Sequence, residues 1–304
     1  MFWQQLVNGL VLGCVYALIA VGYTLVYGVI ELINFAHGEI YMLGAFFMYT
    51  FLNIGIPFYF AFLFAVICCI ITGILLDIIA YRPVRHSERL SALITAIGMS
   101  IFFQNIALII WGADIKRYSR DLIPHFFKKL AINLPNDSIP ILKNVFLTVS
   151  YLQVTIIVLS VILMIVLHFI INKTKIGTAM RAIAQDKQAA ALMGISVNRV
   201  ISFTFALGSG LAAVAGILIG MYYNSIYPTM GYIAGIKAFA AAVLGGIGSV
   251  PGAMLGGVVL GMAETFGAGY ISSQYRHGIA YAAMIFVILF NPSGLLGKKR
   301  MEKV

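Results

Sequence analysis

Charged residues are scarce in this chain. Only 10% of its 304 residues are Asp, Glu, Lys or Arg, whereas 62% are hydrophobic, and the mean hydropathy is +0.99. A soluble domain carries about 25% charged and about 45–50% apolar residues. The shortage of charge excludes an ordinary soluble protein. It predicts an all-α polytopic membrane protein with about eight to ten transmembrane helices, some of them short or broken and rich in Gly.

Groups that carry covalent or metal chemistry are also sparse. The cysteines, Cys14, Cys68 and Cys69, lie in apolar runs without metal-ligand spacing, so we expect them to pack as small hydrophobic residues. No carboxylate pair, metal cluster or serine triad stands out, and no G-x-x-x-x-G-K-[ST] phosphate loop is present. We therefore expect no enzymatic activity, metal or cofactor in this chain.

Long apolar runs are abundant instead. The N-terminus lacks the basic region and the cleavage site of a signal peptide, so we expect the first run to remain as a span. A helix of about 20 apolar residues crosses a bilayer. Runs of this length fall near residues 5–30, 33–52, 57–80, 90–111, 151–171, 200–223 and 276–291. The Gly-rich region 229–268 is predicted to form two short spans or a re-entrant pair.

Basic residues lie mainly between the apolar runs and predict an orientation. None precedes Arg82, whereas the segments 80–89 and 172–199 and the C-terminal tail are basic. Short basic loops stay in the cytoplasm, so we expect these three segments and the C-terminus inside and the N-terminus outside. The 112–150 loop is then expected to be external. It is basic, but the charge of a long loop has less influence on which side of the membrane it occupies. No loop is large enough to fold alone, so residues 1–304 are predicted to form one transmembrane domain.

The segment 172–199 holds the clearest functional pattern. Its part GTAMRAIAQDKQAAALMGISVNR (177–199) favours an amphipathic helix that ends at Gly194. Such a helix lies in the lipid interface, bridges two spans, or docks in a groove of a cytoplasmic partner. Arg181, Asp186 and Lys187 lie alongside its apolar positions.

Several segments together resemble one family of transport proteins. Gln188-Ala189-Ala190, followed after three residues by Gly194, resembles the EAA loop of ABC importer permeases, with Gln for the usual Glu and without the Leu-Pro of the longer pattern. That loop inserts into the nucleotide-binding subunit. The resemblance therefore implies an ATPase-coupling role for Arg181, Asp186, Gln188, Ala189, Ala190 and Gly194. Five segments resemble the LivH-type branched-chain amino acid permease, in the same order: INFAHGEIYMLGAF (33–46), YRPVR (81–85), LITAIGMSIFFQN (93–105), MRAIAQDKQAAALMGI (180–195) and KAFAAAVLGGIGSVPGAMLGG (237–257). The resemblance spans essentially the whole chain except the external loop.

This resemblance implies a permease subunit of an ATP-driven importer of Leu, Ile or Val in a bacterial inner membrane. The implied partners are a second permease, which makes a heterodimer, two cytoplasmic ATPases that hold ATP and Mg, and a periplasmic amino acid-binding protein. No nucleic acid is implied, and the basic charge falls into loops rather than a patch. The residues also allow an alternative function. In it, the chain is a stand-alone secondary amino acid transporter, and Glu39 or Glu264 couples transport to proton movement.

Polar residues within the apolar runs are candidates for the transport pathway or its gate. Glu39, Lys237 and Glu264 are costly in hydrocarbon, as are Asn34 and His37. Glu39 and Lys237 could supply the charges that a zwitterionic amino acid needs, or form a structural ion pair. Asn34 is expected to cap the following helix, and Glu39 to favour its N-terminus by charge. His37 and Glu39 are expected at an inner gate.

Glycines spaced four apart predict close helix packing. Gly252 and Gly256, and then Gly257 and Gly261, each place small residues on one face of a helix. These faces would pack within the chain, meet a partner permease or line the pathway. The stretch GGIGSVPG (245–252) is too rich in Gly and Pro to continue as a helix.

Overall fold

Helices dominate the computed structural model, which describes residues 2–85, 87–124, 127, 132–133, 148–291 and 294–297. In chain order they are α1 (Phe2–Ile30), α2 (His37–Asn53), α3 (Phe58–Leu76), α4 (Arg82–Val84), α5 (Arg89–Trp111), α6 (Tyr151–Lys173), α7 (Lys175–Gln185), α8 (Lys187–Leu192), α9 (Val197–Tyr223), α10 (Met230–Gly245), α11 (Val250–Tyr270) and α12 (Arg276–Phe290). A π-helical turn, Asp77–Tyr81, continues α3, and β1 (Ile132–Asn133) pairs antiparallel with β2 (Thr148–Val149).

Six helices of the described part are long and apolar enough to cross a membrane. They are α1, α3 with its continuation to Val84, α5 from Leu90, α6, α9 and α11. All six coincide with apolar stretches of the sequence, and the prediction of a helical polytopic membrane protein is confirmed. The count of about eight to ten spans depends on the shorter helices α2, α10 and α12, and it stays a prediction.

The Gly-rich region forms two helices, α10 and α11, that meet in a tight turn. Gly246 and Gly248 take positive φ angles of 104° and 92°, which only glycine adopts without strain. Ser249 then caps α11, because its hydroxyl oxygen accepts a hydrogen bond from the amide of Gly252 at 3.2 Å. The predicted break between the two elements is therefore confirmed.

Helix α1 lies at the centre of the bundle. Its residues from 11 to 26 are all buried, as expected for a helix that is apolar all round, and it packs against α2, α9, α10 and α11. Helices α3, α5 and α6 lie outside and expose large apolar side chains such as Leu63, Ile94 and Phe169. Lipid is the solvent that suits such outer faces.

Side-chain contacts sort the loops into two ends of the bundle. Gln153 at the start of α6 donates to Asn8 near the start of α1 at 2.9 Å and to the hydroxyl of Tyr222 near the end of α9 at 3.3 Å. At the opposite end, Lys187 of α8 donates to the carbonyl of Ile30 at 3.1 Å, where α1 finishes. We call the first the N-terminal end and the second the coupling end.

Some residues on which the orientation prediction depends lie outside the described part. They are Lys128, Lys129 and Lys143 of the 112–150 loop and Lys298, Lys299, Arg300 and Lys303 of the tail. The sides assigned to these segments stay predictions. The last described segment does lie at the coupling end, because Leu295 donates its amide to the carbonyl of Leu244 at 2.9 Å.

Candidate functional site

A buried group of charges surrounds Glu264 between α1, α10, α11 and the start of α12. Its Oε1 accepts from Lys237 Nζ at 2.7 Å and from Arg276 Nε at 2.5 Å, and its Oε2 accepts from the Tyr16 hydroxyl at 2.9 Å. The Glu264 side chain is fully buried and that of Lys237 is 3% exposed. These donors compensate for the removal of the carboxylate from water.

Arg276 extends this group toward the protein surface. Its Nη2 donates to the Tyr223 hydroxyl at 2.8 Å, and its side chain is 33% exposed. We call Tyr16, Tyr223, Lys237, Glu264 and Arg276 the Glu264 cluster. It contains two basic side chains and one acidic one. Sequence reasoning named Lys237 and Glu264 but missed Arg276, because a basic residue at the first position of an apolar run resembles an ordinary interfacial anchor.

A cavity of about 250 Å³ lies beside the Glu264 cluster at the N-terminal end. Its walls come from the start of α1, the end of α9, the end of α11 and the start of α12, with Arg276 and Tyr223 shared with the cluster. Gln5, Asn8 and Thr265 add polar groups, so the cavity offers hydrogen bonds as well as charge. No sequence pattern indicated it, because its walls are far apart in the chain.

Glu39 is buried in the first turn of α2, where its charge favours the helix N-terminus. Its Oε1 accepts from Gln104 Nε2 at 2.8 Å and from the Ser100 hydroxyl at 2.9 Å, both on α5. Its Oε2 has no hydrogen-bond partner among the described residues. The suggested pair of Glu39 with Lys237 is wrong as a direct ion pair, because Lys237 binds Glu264 instead.

His37 occupies a space that two glycines create between α1 and α9. A Cβ atom on Gly22 would collide with the His37 ring, and one on Gly208 would press against the same ring. The Tyr23 ring meets the imidazole edge-on, with ring centroids 4.8 Å apart. His37 is thus surrounded by close backbone and aromatic contacts, and its Nε2 has no hydrogen-bond partner in the described structure.

Asn34 does not cap α2, so that prediction is wrong. The residue before α2 is Ala36, and no side chain caps the helix there. The Asn34 Oδ1 instead accepts a hydrogen bond from the Tyr81 hydroxyl at 2.9 Å. This bond links the loop before α2 to the π-helical turn that follows α3.

A second buried charge group lies at the coupling end around Asp77. Its carboxylate accepts from Arg85 Nη2 at 2.7 Å and from the Ser202 hydroxyl at 2.6 Å, and Arg82 Nη2 lies 3.7 Å away. Arg85 also donates to Asn198 at 2.8 Å. These bonds fasten the end of α3 to the first turns of α9, which is a structural role.

The predicted coupling helix is two helices, α7 and α8, with a break at Asp186. Asp186 has an extended backbone, and its Oδ1 accepts from the amides of Gln188 at 2.8 Å and Ala189 at 3.0 Å. An aspartate in this position is a strong N-cap, which explains why the single predicted helix divides there. Gly194 has a φ of 83° just after α8, so the predicted stop at Gly194 is confirmed.

The tip of this segment is apolar and exposed. Leu192 and Met193 are 89% and 83% exposed, whereas Ala190 is buried. Arg181 turns back and donates to the carbonyl of Ile171, so it supports the start of the segment rather than its tip. Burial lowers the pKa of Lys187, and the neighbouring carboxylate of Glu31 opposes that shift.

The four spaced glycines lie at contacts inside this chain. Cβ atoms on Gly252 and Gly256 would collide with the backbone of α10, and Cβ atoms on Gly257 and Gly261 would collide with the backbone of α1. Two faces of α11 are therefore packed against neighbouring helices with no room for a side chain.

Within the described residues, no three His, Cys, Asp or Glu side chains lie close enough together to hold a metal ion.

Comparison with known proteins identifies the family. Residues 5–288 match the family model described as branched-chain amino acid transport system / permease component. The chain belongs to this permease family. The permease is 43% identical to the high-affinity branched-chain amino acid transport system permease protein BraD of Pseudomonas aeruginosa, over 100% of this chain and 98% of that protein.

Two further relatives agree over the same length. The permease is 43% identical to the LivH permease protein of Salmonella typhimurium and 42% identical to that of Escherichia coli K12. Each match covers 100% of this chain and 98% of the relative. Because the matches run from end to end, the resemblance seen in the short motifs extends over the whole permease, including the 112–150 loop that those motifs left out.

Proposed function

We propose that the chain is the membrane-spanning permease subunit of an ATP-driven ABC importer for branched-chain amino acids, Leu, Ile and Val. The observation that carries this proposal is the 42–43% identity, over the whole chain, to permease proteins of high-affinity branched-chain amino acid transport systems. The subunit forms the translocation pathway and changes no covalent bond. ATP and Mg bind to separate ATPase subunits.

The proposed assembly contains a second, similar permease, two cytoplasmic ATPases and a periplasmic amino acid-binding protein. The exposed side chains of Leu192 and Met193 support ATPase docking, because a loop between spans that carries large apolar groups gains stability when a partner covers them. In this arrangement α8 inserts into the ATPase, and the cap at Asp186 holds its angle to α7.

The proposed orientation places the coupling end in the cytoplasm of a bacterial cell and the N-terminal end outside, across the inner membrane. Arg82, Arg85 and Lys187 cluster at the coupling end, which supports this choice. Helices α2, α10 and α12 complete the membrane domain beside the six longer spans.

The rival function, a proton-driven stand-alone transporter, has no support among the relatives, which are components of transport systems. Its two candidate proton carriers also have other partners. Glu264 binds Lys237, Arg276 and Tyr16, and Glu39 accepts hydrogen bonds from α5.

The transport assay uses membrane vesicles that contain the chain with its partner permease, its ATPases and its binding protein. We expect leucine uptake only when ATP is supplied to the ATPase side. Leu192→Asp places a charge on the exposed apolar tip, so we expect it to abolish both ATP-driven uptake and co-purification of the ATPases while the permease remains folded.

Ile115→Asp is the matched control, because Ile115 is also an exposed apolar loop residue but follows α5 at the N-terminal end. We expect it to transport normally. Leucine uptake by the purified chain alone, driven by a proton gradient without ATP, would contradict the proposed function. Full ATP-driven uptake by Leu192→Asp would contradict the proposed insertion of α8 into the ATPase.

A further inference from the structure

The cavity at the N-terminal end has the features of a small-solute site. Its volume is about 250 Å³. Ligand sites of drug-sized molecules run from about 300 to 1,000 Å³, so this cavity suits a single small solute. Its walls come from four helices, and the proposed orientation opens it on the side from which substrate arrives.

The charges beside the cavity favour an anion, because Arg276 belongs both to the cavity wall and to the Glu264 cluster behind it. Lys237 and Arg276 share the single carboxylate of Glu264, so the buried cluster has one more basic than acidic group. Both Glu264 oxygens already accept hydrogen bonds. Arg276 Nε and Nη2 are engaged, but Nη1 donates to no residue in the described part of the chain. A ligand carboxylate would supply the missing negative charge.

Uncharged groups of the wall complete a site for a zwitterion. Gln5 and Thr265 line the cavity, and no side-chain hydrogen bond from either reaches another described residue. The Tyr223 hydroxyl accepts from Arg276 and keeps its own proton for a further acceptor. Leu12 adds an apolar surface. The wall therefore offers donors for a carboxylate, oxygen acceptors for an ammonium group and a surface for an aliphatic side chain.

We propose that this cavity binds one free amino acid within the permease, with its α-carboxylate at Arg276 and Tyr223 and its ammonium group at the oxygens of Gln5 and Thr265. The proposal rests on the proposed function, since it adds to that function a substrate site inside this one chain. Recognition of the common zwitterionic group also means that the site selects amino acids as a class.

Equilibrium binding to the assembled permease–ATPase complex in lipid nanodiscs, without the binding protein, tests the site. The probes are radiolabelled leucine and two competitors, leucinol, which lacks the carboxylate, and 4-methylpentanoate, which lacks the ammonium group. We expect leucine to bind at least about tenfold more tightly than either competitor, because each missing group leaves polar partners in the wall unsatisfied.

Two variants perturb the site in different ways. Arg276→Gln removes the charge, and we expect it to weaken leucine binding about tenfold and to remove the preference for leucine over leucinol. Ala268→Phe fills the cavity but leaves every charge of the Glu264 cluster in place, and we expect it to weaken leucine and leucinol binding together. Arg117→Gln is the matched control, because Arg117 is exposed in the loop after α5 at the same end.

Unchanged leucine affinity in folded Arg276→Gln and Ala268→Phe complexes would overturn the site. The site would also be overturned if the Arg276→Gln complex kept its leucine affinity but no longer captured the binding protein. Arg276 would then be a docking contact. If the wild-type complex performs no ATP-driven leucine uptake, the proposed function itself fails. If it transports leucine and both variants behave as wild type, only the inferred site fails.

Discussion

Glu264 is the residue on which the charges of the Glu264 cluster depend. Lys237 and Arg276 both lie within 2.7 Å of its Oε1, and Lys237 has almost no contact with solvent. Burial of an ion without a partner costs several kcal/mol. The number of acidic and basic groups in the cluster therefore decides how much free energy its burial costs. Removal of the acid and removal of one base therefore have different consequences.

Glu264→Gln leaves two basic groups without their anion, and we expect it to destabilise the fold by about 3–5 kcal/mol. Lys237→Met leaves Glu264 with Arg276 as a balanced pair, so its cost should be clearly smaller. Thermal unfolding of the detergent-solubilised permease measures both. Equal unfolding temperatures for the two variants would show that charge balance is not what holds this cluster together.

Helix α1 depends on glycine where other elements come close. A Cβ atom on Gly22 would collide with the His37 ring, whereas one on Gly28 would make only an ordinary contact with Gly248. Both glycines lie on the same helix, so they form a matched pair. Helix propensity alone favours Ala over Gly by about 1 kcal/mol at both positions.

We expect Gly22→Ala to destabilise the permease by about 1–3 kcal/mol, because overpacking forces the His37 ring or the backbone of α9 to move. Gly28→Ala should be neutral or slightly stabilising. Unfolding temperatures of the two variants in the same detergent give the comparison. A stabilised Gly22→Ala variant would mean that His37 does not need this space.

Boundaries of elements were harder to predict than their existence. The apolar runs correctly indicated the long helices, because about 20 apolar residues have few alternatives to a span. The break between α7 and α8 was missed, although Asp186 followed by a helix-favouring KQAAAL stretch is an N-cap signal. Asn34 was wrongly predicted as a cap because its partner, Tyr81, comes from a distant part of the chain.

The orientation of the whole molecule is testable with engineered cysteines. Cys14, Cys68 and Cys69 are replaced with alanine, and a single cysteine is introduced at exposed Ser273 or at exposed Ser196. Ser273 follows α11 at the N-terminal end, and Ser196 precedes α9 at the coupling end. Intact spheroplasts are then treated with a membrane-impermeant thiol reagent.

We expect labelling of Ser273→Cys in intact spheroplasts and labelling of Ser196→Cys only after the membrane is opened, since basic loops stay in the cytoplasm. Fluorescence of the labelled band gives the result. Permeabilised spheroplasts should label both variants, which controls for reactivity. The reverse pattern in intact spheroplasts would invert the proposed orientation.

The sequence identified the family far better than it identified the site. Motifs such as QAA with Gly194 are local, so they are visible in the sequence without a structure. The cavity combines Gln5 with Arg276, which lie at opposite ends of the chain, and only the folded bundle brings them together. Glycine spacing on α11 predicted close packing, but the choice of α1 and α10 as neighbours required the tertiary structure.

The position of α1 has a mechanical consequence. Its 29 residues form a rod of about 43 Å, with Gln5 and Asn8 on the cavity wall at one end and Ile30 bound by Lys187 of α8 at the other. A packed helix resists bending, so we expect α1 to move as one rigid body. A displacement of α8 would then shift the cavity wall at the other end of α1. In the proposed assembly, a movement of the ATPases would then reach the opposite end of the permease through this one helix.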